Sequence, residues 1–184
     1  MSTGAATVDA RAFRDALGLF PTGVAIITAV SPGGERLGAT VSSFNSVSLD
    51  PPLVLFSIAK SAKAFDEWSK VDAYAVNVLS QDQSDMSSRF ARPMSNKWEG
   101  VMPRQGAYAG LPLLNNSLAW FECKPYAQYE GGDHVIFVGE VMAMQARVGT
   151  PPKPLVFYRG QYRRLEEAAM GDLPYSDGML LHGW

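Results

Sequence analysis

The residues best suited to chemistry in this chain lie between Leu37 and Ile58, LGATVSSFNSVSLDPPLVLFSI, where small side chains and hydroxyls sit between two apolar strand patterns. Gly38, Ala39, Thr40, Val41, Ser42, Ser43 and Ser46, with Ser57 in the strand that follows, leave backbone and hydroxyl groups free to meet something flat and polar. Asp50-Pro51-Pro52 ends the segment rigidly before the apolar run Leu53 to Phe56. Such a segment makes a poor core and a good cradle for a planar cofactor.

Three further groupings carry charge or stacking surface. Lys60-Ser61-Ala62-Lys63 precedes an expected helix, where outward N–H groups and the helix dipole favour an anion; Ser61 and Lys63 suit a phosphate, and they equally suit a plain helix cap with solvated lysines. In Ser87-Ser88-Arg89-Phe90-Ala91 the Arg89 guanidinium matches phosphate oxygens and Phe90 matches a flat ligand, while Arg89 also suits the carbonyls at a helix C-terminus. His134, one of two histidines, opens a strand after Gly132-Asp133, and Asp133 is expected to shape that turn. Finally, Phe157-Tyr158-Arg159-Gly160-Gln161-Tyr162 offers stacking and charge for a dinucleotide around a glycine that permits a positive φ or a close approach, or else an ordinary aromatic strand end.

Several chemistries are excluded. No G-x-G-x-x-G or G-x-x-x-x-G-K-[ST] loop occurs, so a nucleotide must be held by other geometry. One cysteine, Cys123, and the separated His134 and His182 supply no metal-ligand spacing, and no hydrolase triad is recognisable; no catalytic side chain and no metal site are expected. A net charge of −2 without a basic block argues against nucleic-acid binding. No window reaches the length of a membrane span, and MSTGAATVDAR lacks the apolar centre of a signal peptide, so a cytoplasmic protein is expected.

The elements that must position these residues follow from pattern. With 184 residues, 47% of them hydrophobic and 18% charged, the chain suits one globular domain. Asp9 caps an expected helix bearing Phe13, Ala16, Leu17 and Phe20, stopped by Gly18 and Pro21. Strands are expected at Thr22 to Val30, Arg36 to Ser43, Leu53 to Ile58, Ala73 to Leu79, Leu118 to Tyr129, Val135 to Ala146 and Pro154 to Tyr158. A short helix is expected over Ser61 to Ser69, and Ser80-x-x-Gln83 reads as a capping box opening another. Ala91 to Leu114 reads as a long irregular excursion. Many strands with few short helices predict a closed, mainly β barrel with helices outside.

The small-residue segment, Arg89-Phe90-Ala91, Asn96-Lys97-Trp98, Gly132-Asp133-His134 and Tyr158-Arg159-Gly160-x-Tyr162 together resemble the FMN-binding split-barrel flavin reductases over roughly residues 13 to 165. Trp98 stands where that family more often has Phe. The resemblance implies an antiparallel split β-barrel and an NAD(P)H:flavin oxidoreductase that passes a hydride to FMN, or to FAD, and supplies reduced flavin to a separate monooxygenase. It places the flavin ring against Gly38 through Ser43, the phosphate at Ser61 and Lys63 with Arg89 and Phe90 nearby, and NADH or NADPH at His134 and at Tyr158, Arg159, Gly160 and Gln161. It also implies a homodimer, with Trp120 and Phe121 expected among its exposed aromatics. Alternatives are a split-barrel protein with another flavin role, such as an oxidase or sensor, and a non-enzymatic dimerisation module. The tail 166–184 has no counterpart in the resemblance.

Overall fold

The computed structural model describes residues 8–93, 96–149 and 153–165. The tail 166–184, to which no role is assigned on sequence, lies outside the described residues. In chain order the elements are α1 (Ala10–Leu17), β1 (Thr22–Gly23), β2 (Ala25–Val30), β3 (Arg36–Val41), β4 (Asn45–Leu49), β5 (Pro52–Ala59), α2 (Phe65–Trp68) and β6 (Tyr74–Val78). A 3-10 turn (Gln81–Gln83) then leads into α3 (Ser84–Ala91), followed by β7 (Arg104–Gln105), β8 (Pro112–Leu113), β9 (Ala119–Gly131), β10 (His134–Ala146), β11 (Val156–Tyr158) and β12 (Gln161–Arg163).

Seven strands form one antiparallel sheet in the order β3-β2-β6-β9-β10-β5-β4, and β1, β11 and β12 form a second, smaller one. The large sheet rolls up around its apolar face: Leu37 and Val41 of β3 share a buried cluster with Val54, Phe56 and Ile58 of β5, although no strand pairing joins β3 to β5. Burying β-branched and aromatic residues from both margins against each other drives that closure. The hydrogen-bonded ladder stays open between β3 and β5. The fold is therefore the mainly antiparallel split barrel that the resemblance implied, and the closed barrel expected from the strand pattern is corrected: the strands roll up through side-chain packing without a ladder joining β3 to β5.

Several expectations meet corrections. The expected strand Thr22 to Val30 divides, because Gly23 ends the pairing of β1 with β11 and the chain resumes at Ala25 against β3 and β6. The segment read as one cradle contains a further strand, β4, paired with β5 across a turn whose Asp50-Pro51 bond is cis. Val47 and Leu49 alternate with Ser46 and Ser48 over too few residues to read as a strand, and both stay exposed. The excursion from Ala91 to Leu114 is anchored rather than loose: Asn77 Oδ1 accepts from Leu114 N at 2.8 Å, Thr28 Oγ1 donates to Pro112 O at 2.6 Å, and Leu111, Leu113 and Leu114 are buried. Trp120, expected on the surface, is buried and donates through Nε1 to Leu114 O at 2.8 Å, with Arg104 over its ring. Phe121 is half-buried against Phe44.

Local chemistry explains the elements that frame the open side. Ser80 and Gln83 form the expected capping box, which opens the 3-10 turn that runs into α3. Its Ser87 carbonyl accepts from Thr40 Oγ1 at 2.7 Å, and Ser87 Oγ meets Tyr162 Oη at 2.8 Å, fixing the helix between β3 and the small sheet. The β9–β10 hairpin turns through Gly132 and Asp133, and Gly132 takes φ +73°, as the first position of a II′ turn demands.

Candidate functional site

A cavity of about 670 Å³ opens where β3 has no strand partner. One wall is β3 and the loop after it, from Glu35 through Ser43; the facing wall is Ser57 to Ala59 of β5, Ala62 to Ala64, and Trp68 of α2. His134 borders it from β10, and Phe90 to Pro93 with Lys97 and Trp98 border it beyond α3. An edge strand presents unpaired backbone donors and acceptors, and here they meet a concave space. Ser43 Oγ crosses the gap to accept from Ser57 N at 2.9 Å.

Most of the residues expected to hold a flavin come together here. Gly38, Ala39, Thr40, Val41, Ser42, Ser43, Ser57, Lys63 and Phe90 all line the cavity, as does His134, expected at the nicotinamide nucleotide. Phe90 is buried, with its ring against the Gly38 backbone and Trp98 edge-on at 5.0 Å between centroids. Trp98 thus occupies a defined aromatic contact, and the Arg36 guanidinium lies 5.8 Å from its ring centroid. Its Nε1 is buried without a hydrogen-bond partner.

Other expected residues lie elsewhere. Ser46 is on the exposed edge strand β4, and Ser61 is exposed outside the cavity lining. Arg89 points away, donating to Glu99 O at 2.8 Å, and borders a separate depression with Asp85, Ser88 and Arg92. Tyr158, Arg159, Gly160 and Gln161 form the β11–β12 turn outside the cavity lining. Arg159 and Gly160 take φ +49° and +76°, the two positive values of a I′ hairpin, so the turn itself accounts for the glycine. That hairpin braces the frame: Arg159 N donates to Gly18 O at 3.0 Å.

Asp133 does more than shape the turn. Its Oδ1 lies 2.7 Å from His134 Nδ1, and that hydrogen bond holds the exposed Asp133 carboxyl below the usual carboxylate range. The pairing occupies Nδ1 of a ring whose residue lines the cavity. Sequence reasoning did not single out Lys97 as a site residue, although it lines the cavity. Its signal was only the Asn96-Lys97-Trp98 pattern.

The chemistry of this lining fits a flat, anionic nucleotide such as a flavin. Four cationic side chains, Arg36, Lys63, Arg92 and Lys97, face two carboxylates, Glu35 and Glu67, around aromatic and glycine surface. Among the described residues no group of His, Cys, Asp and Glu is arranged to hold a metal, and no helix is long and apolar enough to cross a membrane.

Residues 17–166 match the flavin reductase like domain. The chain belongs to that family. It is 44% identical over 138 residues to the stachydrine N-demethylase reductase subunit Stc3 of Rhizobium meliloti, covering 75% of this chain and 60% of that one. It is 43% identical to the FMN reductase (NADH) SmoA of Agrobacterium fabrum, covering 85% of this chain and 86% of the relative. Among solved structures, the NADH:FAD oxidoreductase SgcE6 of Streptomyces globisporus, in complex with NAD and FAD fragments, superposes with a TM-score of 0.80 at 35% identity, covering 90% of this chain and 99% of that one. The chain spans about half the length of the first curated relatives it matches.

Proposed function

We propose that this flavin reductase family member is an NAD(P)H:flavin oxidoreductase that reduces FMN or FAD and releases the reduced flavin to a separate monooxygenase component. The observation that carries the reading is the cavity at the free edge of β3, where unpaired backbone groups, aromatic surface and an excess of cations meet. A bound flavin supplies the acceptor for a hydride from reduced nicotinamide, and that chemistry belongs to the two cofactors.

The residues of the chain bind, orient and exclude. Backbone groups from Gly38 to Ser43 face the polar edge of the ring, Lys63 takes the phosphate, and Phe90 with Trp98 closes the wall behind β3. His134, oriented by Asp133, borders the nicotinamide nucleotide. Holding donor and acceptor in aligned contact supplies most of the rate, so no proton-shuttling side chain is required. The names of SmoA and SgcE6 give NADH as the donor and differ in the flavin, which favours NADH here and keeps both FMN and FAD as acceptors.

The test is NADH and NADPH oxidation followed at 340 nm with FMN, FAD and riboflavin added separately. Flavin-dependent oxidation is expected with at least one flavin. Oxidation no faster than the flavin-free control with all three would overturn the reading.

A further inference from the structure

Lys97 has an unusual setting for a lysine. Its Nζ donates to Phe90 O at 2.8 Å and to Gly38 O at 3.1 Å, so the ammonium sits on the cavity wall between the end of α3 and the free edge of β3. Among the described residues no carboxylate pairs with it. Capping the carbonyls of a helix C-terminus explains one of its contacts, and an exposed lysine does that at no desolvation cost. Burial instead pushes the Lys97 ammonium below the ordinary lysine value. An ammonium has three donors, and two are spent on neutral carbonyls.

We propose that Lys97 is a flavin-binding residue whose remaining N–H donates to an anionic oxygen of the flavin. The proposal rests on the flavin reductase reading above. Lys97 is half-buried, so its charge is partly withdrawn from water without a counter-ion, and an anion arriving in the cavity offsets that cost. The two carbonyls hold the ammonium in place beforehand, so little side-chain freedom is lost on contact. A flavin has two such oxygens to offer: those of its phosphate, and the ring oxygen that shares the negative charge of reduced flavin at neutral pH.

The test compares the full chain with Lys97→Met and Lys97→Gln. Glutamine keeps donors for the Gly38 and Phe90 carbonyls and drops the charge. Dissociation constants for FMN and riboflavin come from flavin fluorescence titration, and the midpoint potential of bound flavin compares the reduced with the oxidised form. The readouts are ratios, so a fall in the folded fraction leaves them unchanged. Both variants are expected to lose roughly tenfold or more in one ratio, the size of a charge-assisted hydrogen bond. Loss of the FMN-over-riboflavin preference identifies the phosphate; a lowered potential with that preference intact identifies the ring oxygen. Flavin binding by the unsubstituted chain with both ratios unchanged in either variant overturns the proposal alone. No flavin binding by the unsubstituted chain overturns the flavin reading and the proposal with it.

Discussion

Gly38 and Phe90 compete for one space: a Cβ on residue 38 would lie 2.3 Å from two carbons of the Phe90 ring. The small residue that looked on sequence like an opening for a ligand is therefore first an opening for a neighbouring side chain. Phe90 cannot retreat freely, since Trp98 stands edge-on behind it. Gly38→Ala is expected to destabilise the fold by about 1–3 kcal/mol through overpacking, measured by urea unfolding. Adding Phe90→Leu to Gly38→Ala should recover part of the loss. An unaltered unfolding midpoint in Gly38→Ala would show that the ring moves without cost.

Lys63 faces the cavity and Ser61 does not. The two were paired on sequence because both precede a helix, yet α2 begins only at Phe65 and Ala64, its N-cap, gives no side-chain cap. Lys63→Ala is expected to weaken FMN binding several-fold while riboflavin binding holds, since an exposed charge contributes about 1 kcal/mol at most to a phosphate contact. Ser61→Ala should leave both unchanged. Fluorescence titration of each variant decides it, and equal weakening for both flavins removes Lys63 from the phosphate.

Much of the barrel was legible because its strands alternate or run apolar, as Ala25 to Val30 and Leu53 to Ile58 do, and because Ser80 with Gln83 and the Gly132-Asp133 turn carry local signals. What pattern did not reveal were placements fixed by distant partners. Trp120 is buried by Leu114 and Arg104, residues that no periodicity links to it. Arg89 and the Tyr158 to Gln161 turn, expected at a nucleotide, lie outside the cavity lining because α3 aims Arg89 at Glu99 and the turn pairs into a different sheet. Lys97 went unread because its meaning lies in the carbonyls of Gly38 and Phe90, which only the folded chain brings together.

Among the described contacts, the His134 ring hydrogen-bonds only to the exposed Asp133, so its removal leaves no buried group unsatisfied. His134→Ala is expected to change stability by no more than about 0.5 kcal/mol, as a surface substitution does. The effect should fall on the nicotinamide nucleotide, as a raised KM or slower flavin reduction in stopped flow. Asp133→Asn should give a weaker version of the same defect. A marked fall in melting temperature with unaltered nucleotide kinetics would make His134 structural.

The lowered proton affinity of Lys97 also sets a pH dependence of stability. Between its folded value and the ordinary lysine value, the unfolded chain holds a proton that the folded chain has released, so stability rises with pH across that window. The stability of the unsubstituted chain relative to Lys97→Met should therefore increase as alkaline pH approaches the lysine range. A difference that is flat or falls over that range contradicts the desolvated setting.

α1 is capped by Asp9, whose Oδ1 accepts from Ala12 N at 2.8 Å, yet it buries none of its residues. Phe13 and Leu17 are more than half exposed, as are Leu19 and Phe20 just beyond the helix. Eight residues cannot sustain a helix by propensity alone, and an apolar stripe in water contributes nothing to holding it. A second copy of the chain is the cover we propose, in place of the surface once assigned to Trp120 and Phe121. Light scattering at micromolar concentration should then give a dimer. Phe13→Asp with Leu17→Asp should shift it towards monomer without unfolding the barrel, because in the single chain neither side chain is buried against the core. A clean monomer for the unsubstituted chain would refute the pairing, and a dimer unaffected by both substitutions would move it to another face, where Tyr126, Met142 and Met144 are also exposed.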